Sequence, residues 1–428
     1  MAPGAEAVAT AASGPHLPMV AHVIRRLGIG ANAHVALAAK SVDDAIATAM
    51  DLSSPPAPLP EFPPPESLED ARGPGQLQDT IAFWVSQMAS SPRLIEERLV
   101  WFWHDHFATS MRKVRIGYLM YRQHQTVREN ATGRFDLLLK AIAKDPAMLL
   151  YLDGRVNTVD SPNENFAREV MELHTLGRGH YTQDDVVAAS RAFTGWVMVP
   201  EDSDRRRFVT EAEPWSSVFV PQRHDAGSKT LLGITANLDM DGALDVLLEH
   251  PATGVSVASK LYEELVGLRP DESTAESLGA SFRNDYEIMP LVEKIVSDPR
   301  FLSEEAVWSR IRTPMERLAG ILQGFETHDQ VVRHATAVLD AASFVPFFPP
   351  NPAGFPSGSR LLGPHQLVHT LDYGALIGPR PTEMTAEEVL AGLGIFDPSP
   401  QSVSVIAAAG DPISSLGLAA ASPEYALT

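Results

Sequence analysis

At 428 residues and 44% hydrophobic content, the chain can bury one large core or a few smaller ones. Its 54 acidic against 34 basic side chains give a net charge of -20, a field that repels phosphate backbones and argues against a nucleic-acid partner. With no cysteine, disulfides, thiolate metal sites and a cysteine nucleophile are excluded.

The one tight basic cluster, Arg205 to Arg207, sits in a polar stretch and does not change that reading. No apolar run reaches the length of a membrane span. The Ala-rich start, Met1 to Pro18, lacks the basic and continuous apolar parts of a signal peptide, so as given the chain reads as cytoplasmic.

In chain order, residues 1–19 read as a flexible N-terminus, and 20–52 as helical, interrupted at Gly28 and Gly30. Ser41 offers an N-cap for the second part. Residues 53–65 are Pro-rich and predict an exposed connector. Leu77 to Leu149 is helical with breaks near Ser91-Pro92, Gly133 and Asp145-Pro146. Asn163 to Leu176 predicts a helix stopped by Gly177, and Thr182 to Thr194 another with Thr182 as N-cap. Between 197 and 235 the pattern changes, and Arg207-Phe-Val-Thr and Val218-Phe-Val read as short strands. Helices resume from Leu238 to about Gly324. Phe344 to Pro364 is an aromatic, Pro/Gly-rich loop whose rings are costly to leave in water, and a short helix follows from His365 to Leu376. The pattern is mainly α: a multi-helix globular domain over 20–378 with a small β insert around 197–235, then a C-terminal tail, 379–428, of weak helix.

Three stretches carry polar residues among apolar ones. In Trp101-Phe-Trp-His-Asp-His-Phe, a helical wheel puts His106 on the face of Ile95, Leu99 and Phe102, with His104 about 200° away. An unbroken helix therefore cannot give both to one metal, and each also suits a core histidine bonded to backbone. In Asn163 to Gly177, Phe166, Val170 and Leu173 form an apolar arc that includes His174. Glu164, Arg168 and Glu172 have the spacing of a solvated ion-pair ladder. Glu169 and Glu172, one turn apart, equally suit two carboxylates aimed at one cation or sharing a proton. Arg168 points away from Glu169 by about 100°, so Glu169 needs another partner. The third stretch, His224-Asp225, lies on a turn before Gly227, where it reads either as a functional pair or as turn chemistry. Gly-rich phosphate loops, the Gly-x-Ser-x-Gly elbow and His-Glu-x-x-His are absent from the sequence.

Trp103-His-Asp-His-Phe resembles the Trp-His-Asn-His-Phe segment of the bacterial family called domain of unknown function 1800. The likeness continues through Asp145-Pro-Ala-Met-Leu, Pro162-Asn-Glu-Asn-Phe-Ala-Arg-Glu, Glu172-Leu-His-Thr-Leu-Gly and Thr194-Gly-Trp. It resumes at His224-Asp, Lys260-Leu, Pro349-Pro-Asn and Gly354-Phe-Pro. Asp105 stands where that family usually has Asn, and many members look exported. The resemblance implies no activity, but it makes these polar residues a shared signature.

Two functions compete. One is an enzyme, a hydrolase or oxidoreductase acting on an unknown small molecule or polymer, with Glu169, Glu172, His174 and Asp225 as catalytic candidates. His104, His106, Glu169 and His224 would then be candidate ligands for a divalent zinc, iron or manganese. The other is a non-catalytic helical scaffold, or a partner of a sulfatase-like protein, in which the same residues fix helix register. The first reading expects Glu169 and Glu172 beside at least one of His104, His106 and His224 around an open pocket; apart from either reading, the apolar arcs predict His106 and His174 to be largely buried.

Overall fold

A computed structural model of the chain describes residues 16–199, 212–325, 331–376 and 384–428. Helix starts follow side-chain chemistry. Thr182 and Asp185 cap each other's backbone, as do Thr313 with Glu316 and Thr385 with Glu388. Asp145 accepts from the amides of Ala147 and Met148, with Pro146 locking the first helical φ.

The helices that build the site are α1 (Leu17–Leu27), α2 (Gly75–Ser90), α3 (Leu94–His106), α4 (Gly117–Asn130), α5 (Glu164–Glu169), α6 (Gln183–Ala192), α7 (Pro251–Val266) and α8 (Pro314–Gly324). Strands among the described residues are confined to two antiparallel pairs. β1 (Trp196–Met198) pairs with β2 (Ser217–Phe219), and β3 (Lys229–Leu231) with β4 (Ile234–Ala236). The fold is thus mainly α with a small β insert, as the sequence predicts. Val218 lies in β2 as expected, while Arg207-Phe-Val-Thr and the Arg205–Arg207 cluster lie outside the described residues. The Pro-rich stretch 53–65 forms neither helix nor strand, as expected.

Helix α3 is the hub. Every residue from Leu94 to His104 is buried, charged ones included. Such burial is tolerable only with partners. Glu97 accepts both nitrogens of Arg128 from α4 (2.7 and 2.9 Å), and Glu96 pairs with Arg93 (2.7 Å). Arg98 bridges Glu264 of α7 (2.7 Å) and Glu316 of α8 (2.8 Å). Around it runs one continuous apolar core from α1 to Tyr425.

The segment after residue 384 carries more regular structure than its sequence suggested. Helices Ala386–Gly392, Pro400–Ala407 and Pro412–Ala420 bury Leu390, Ile406 and Leu416, and the Tyr425 hydroxyl donates to Arg317 O (2.5 Å). No helix among the described residues is long and apolar enough to cross a membrane.

Candidate functional site

At the C-terminal end of α3, four consecutive side chains each grip the backbone of a different remote segment. Trp103 Nε1 donates to Ala131 O (3.0 Å). His104 Nε2 accepts from Phe347 N (3.2 Å), and Asp105 Oδ1 accepts from Phe355 N (2.7 Å). His106 Nε2 donates to His174 O (3.1 Å). The opposed faces expected for His104 and His106 are realised, so the two do not converge. The aromatic loop is pinned as predicted: Phe344, Phe347 and Phe355 are buried, and Trp101 stacks on Phe344 and Phe355 with centroids 5.8 and 5.7 Å apart.

The expected helix over 163–176 departs from a regular α form. After Glu169 it continues as a π-helical turn, Val170–His174. A helix end leaves carbonyls without intrahelical donors. Here Thr175 Oγ1 takes Val170 O (2.7 Å), Gly177 N takes Met171 O (3.2 Å), Lys260 Nζ takes Leu173 O (2.6 Å), and His106 takes His174 O. The turn therefore hands backbone oxygens, rather than glutamates, to the neighbouring elements.

These contacts wall a cleft of about 410 Å³. Its titratable and charged lining comes from Asp105 and His106 of α3, Lys260, Glu263 and Glu264 of α7, and Arg310 before α8. The Asp105 carboxyl is pushed up to about 7 by burial, with the Glu264 charge adding to the rise. Lys260 is an exposed residue, yet burial within the cleft brings its ammonium down to about 8, against the opposing pull of Asp105. Behind them Glu264 is held by Arg98 (2.7 Å) and Arg310 (3.7 Å). An acid and an amine near neutrality on one wall can exchange protons with a bound molecule at ordinary pH.

The residues singled out from the sequence fall in three places. His174 is buried as expected, and its ring lies 5.9 Å from that of His106. His106 is only half-buried, because the end of α3 opens on the cleft. Burial holds the His174 imidazole down at about 3, so it stays neutral. Glu169 and Glu172 do not line the cleft. Glu172 instead accepts from Arg178 Nε (2.7 Å) and Tyr181 (2.9 Å), largely at the surface, while Arg168 pairs with Glu164 (3.1 Å) and donates to Gln183 (2.8 Å). Glu169 is half-buried, its carboxyl raised by burial and by the Glu172 charge. His224 and Asp225 clasp the β insert. His224 Nδ1 reaches Thr194 O (3.1 Å), and Asp225 binds Arg191 Nε (2.6 Å) and Gly227 N (2.8 Å).

The expected ligand set His104, His106, Glu169 and His224 therefore does not assemble. Among the described residues, no three His, Asp or Glu side chains are gathered closely enough to hold a metal ion. The sequence reading passed over Asp105, Lys260, Glu264 and Arg310. The available signals were the acid flanked by two histidines and the Lys260/Glu264 spacing of one helical turn.

Gly354 has φ +93°, and a Cβ there would collide with the Asp105 carboxylate. Gly354→Ala is expected to cost about 2 kcal/mol or more through strain and loss of the Phe355–Asp105 bond. An unchanged melting temperature would show that this loop is not pinned by Asp105.

What the fold and cleft define is a large, mainly helical protein with a polar pocket assembled from distant signature segments. Residues 22–427 match the family described as "Protein of unknown function (DUF1800)", and the chain belongs to that family. No curated protein and no solved structure matches.

Proposed function

We propose that the chain is an enzyme of acid–base type, a hydrolase whose site is the cleft between α3, α7 and the aromatic loop. Asp105 in its ionised form is the general base, and Lys260 in its protonated form the general acid. The observation that carries this reading is the convergence of Asp105 and Lys260, both shifted towards neutrality, on a cleft walled by the family's signature segments. Trp101, Phe344 and Phe355 supply an apolar wall for a substrate, with His106 and the Glu264–Arg310 pair beside it. The substrate is a small molecule or the end of a polymer that fits about 410 Å³.

A second reading has its own support. His104, Asp105 and His106 each bind backbone, which is what a purely architectural motif does. In that case the chain is a scaffold, for which a sulfatase-like protein is the proposed partner.

Competitive acetylation of the whole protein, read by mass spectrometry from pH 6 to 10, separates the two. The enzyme reading expects Lys260 to titrate near 8, and lower still in Asp105→Asn, where the supporting negative charge is gone. It further expects turnover from a panel of chromogenic esters, glycosides and phosphates, abolished in Lys260→Met. Should Lys260 titrate with the surface lysines near 10.4, the scaffold reading takes over.

A further inference from the structure

Away from the cleft, the segment entering α8 buries more guanidinium than carboxylate. Arg312 is 1% exposed, and Nε, Nη1 and Nη2 all lack a hydrogen-bond partner. Its guanidinium lies 4.4 Å from the centroid of the Tyr425 ring, whose hydroxyl is a further polar neighbour. Arg317 is 3% exposed. It donates Nη1 to Thr370 Oγ1 (2.9 Å) and leaves Nε without a partner. Arg25, also buried, adds a third positive charge near Arg312 and has two unpartnered nitrogens of its own. The nearby carboxylate, Glu316, is already committed to Arg98, Arg310 and Thr313 N. Among the described residues, Arg25, Arg312 and Arg317 have no ion pair.

A small cavity of about 10 Å³ is lined by both Arg312 and Arg317. Thr370, Tyr373, Gln366 and His369 form the rest of its polar wall, and Pro314, Ala342 and Leu361 its apolar side. Its neutral hydroxyls are already engaged: Thr370 donates to Gln366 O (2.8 Å) and Tyr373 to Pro314 O (2.8 Å). That space admits about one atom-sized occupant and no phosphate or sulfate. A water molecule would accept hydrogen bonds from the guanidiniums but would leave their charge uncompensated, which is the costly part of burying them.

We propose that this cavity is a binding site for a single halide-sized anion, chloride in ordinary buffers, held between Arg312 and Arg317. The anion takes the orphaned N–H groups and offsets the paired positive charge, so it fastens α8 to the helix Pro364–Thr370. The site is independent of the catalytic reading of the cleft.

The test uses the full chain dialysed into sodium gluconate. Sodium chloride or bromide at matched ionic strength is expected to raise the melting temperature by several degrees, saturating in the millimolar range. Arg312→Met should lose that dependence, and crystals grown with bromide should show an anomalous peak between the two guanidiniums. If Arg312→Met does not fold, the wild-type bromide peak decides alone. Equal melting in chloride and gluconate, or density explained by an adventitious ion only or by water without anomalous signal, would overturn the proposal.

Discussion

Glu316→Gln is expected to destabilise the protein by about 3–5 kcal/mol, read as a lower midpoint of urea unfolding, while Glu172→Ala leaves that midpoint nearly unmoved. Glu316 is 2% exposed and serves two guanidiniums, Arg98 at 2.8 Å and Arg310, as well as Thr313 N at 2.8 Å. Burial alone would raise its carboxyl, but the Arg310 and Arg98 charges outweigh that and hold it well below the usual carboxylate range. An amide of the same shape keeps the packing and removes the charge. Arg98 and Arg310 then share only Glu264, in a region already rich in buried arginine. Glu172, by contrast, pairs with an arginine whose side chain is 86% exposed, where water and salt screen the attraction. Equal losses in the two variants would mean that the network under α3 is no more than a surface ladder.

The local physics of this chain could be read from its sequence. Capping at Ser41 and Thr182, the breaks at Asp145-Pro146 and Gly177, and the burial of Phe344, Phe347 and Phe355 all follow from side-chain chemistry and helical period. So did the opposed directions of His104 and His106. What escaped was anything set by a departure from ideal geometry or by distance along the chain. The wheel that put Glu169 and Glu172 one turn apart, and His174 on the apolar arc, assumed 3.6 residues per turn. The π-helical turn at Val170–His174 breaks that assumption just where the carboxylates were expected to meet the histidines. Asp105, Lys260 and Arg310 belong to three segments far apart in sequence, and no local pattern brings them together. A buried, unpartnered Arg312 is equally invisible, because in sequence it is one more basic residue before a helix cap.

Acid is expected to unfold the protein well above the pH at which its surface carboxylates titrate. Burial holds His22, His104 and His174 down at about 3, and His106 and His124 lie well below their ordinary value for the same reason. A histidine whose folded pKa is depressed takes up its proton only in the unfolded chain once pH drops below about 6.5. Its stabilising contribution is therefore complete above 6.5 and is lost as pH falls towards 3. The carboxyls of Asp105 and Asp145, raised to about 7 by burial, work in the other direction. Between 7 and their ordinary value they are protonated in the folded chain and ionised in the unfolded one, so they favour folding as pH falls, as do the raised Glu97 and Glu169. These five imidazoles, with His34 and His250 also lowered by burial, outnumber the four raised carboxyls and leave a net uptake of about one proton or more on unfolding. That is about 1.4 kcal/mol per proton for each pH unit below 6.5, against a total stability on the order of 5–15 kcal/mol. The melting temperature should be nearly level from pH 7 to 8 and fall steeply from pH 6.5 to 5. His104→Asn keeps an acceptor for Phe347 N and should flatten the slope by about one proton. The measurement is the helical circular dichroism signal on heating at closely spaced pH values. A melting temperature that stays level down to pH 4 would mean that these imidazoles are not held neutral in the fold.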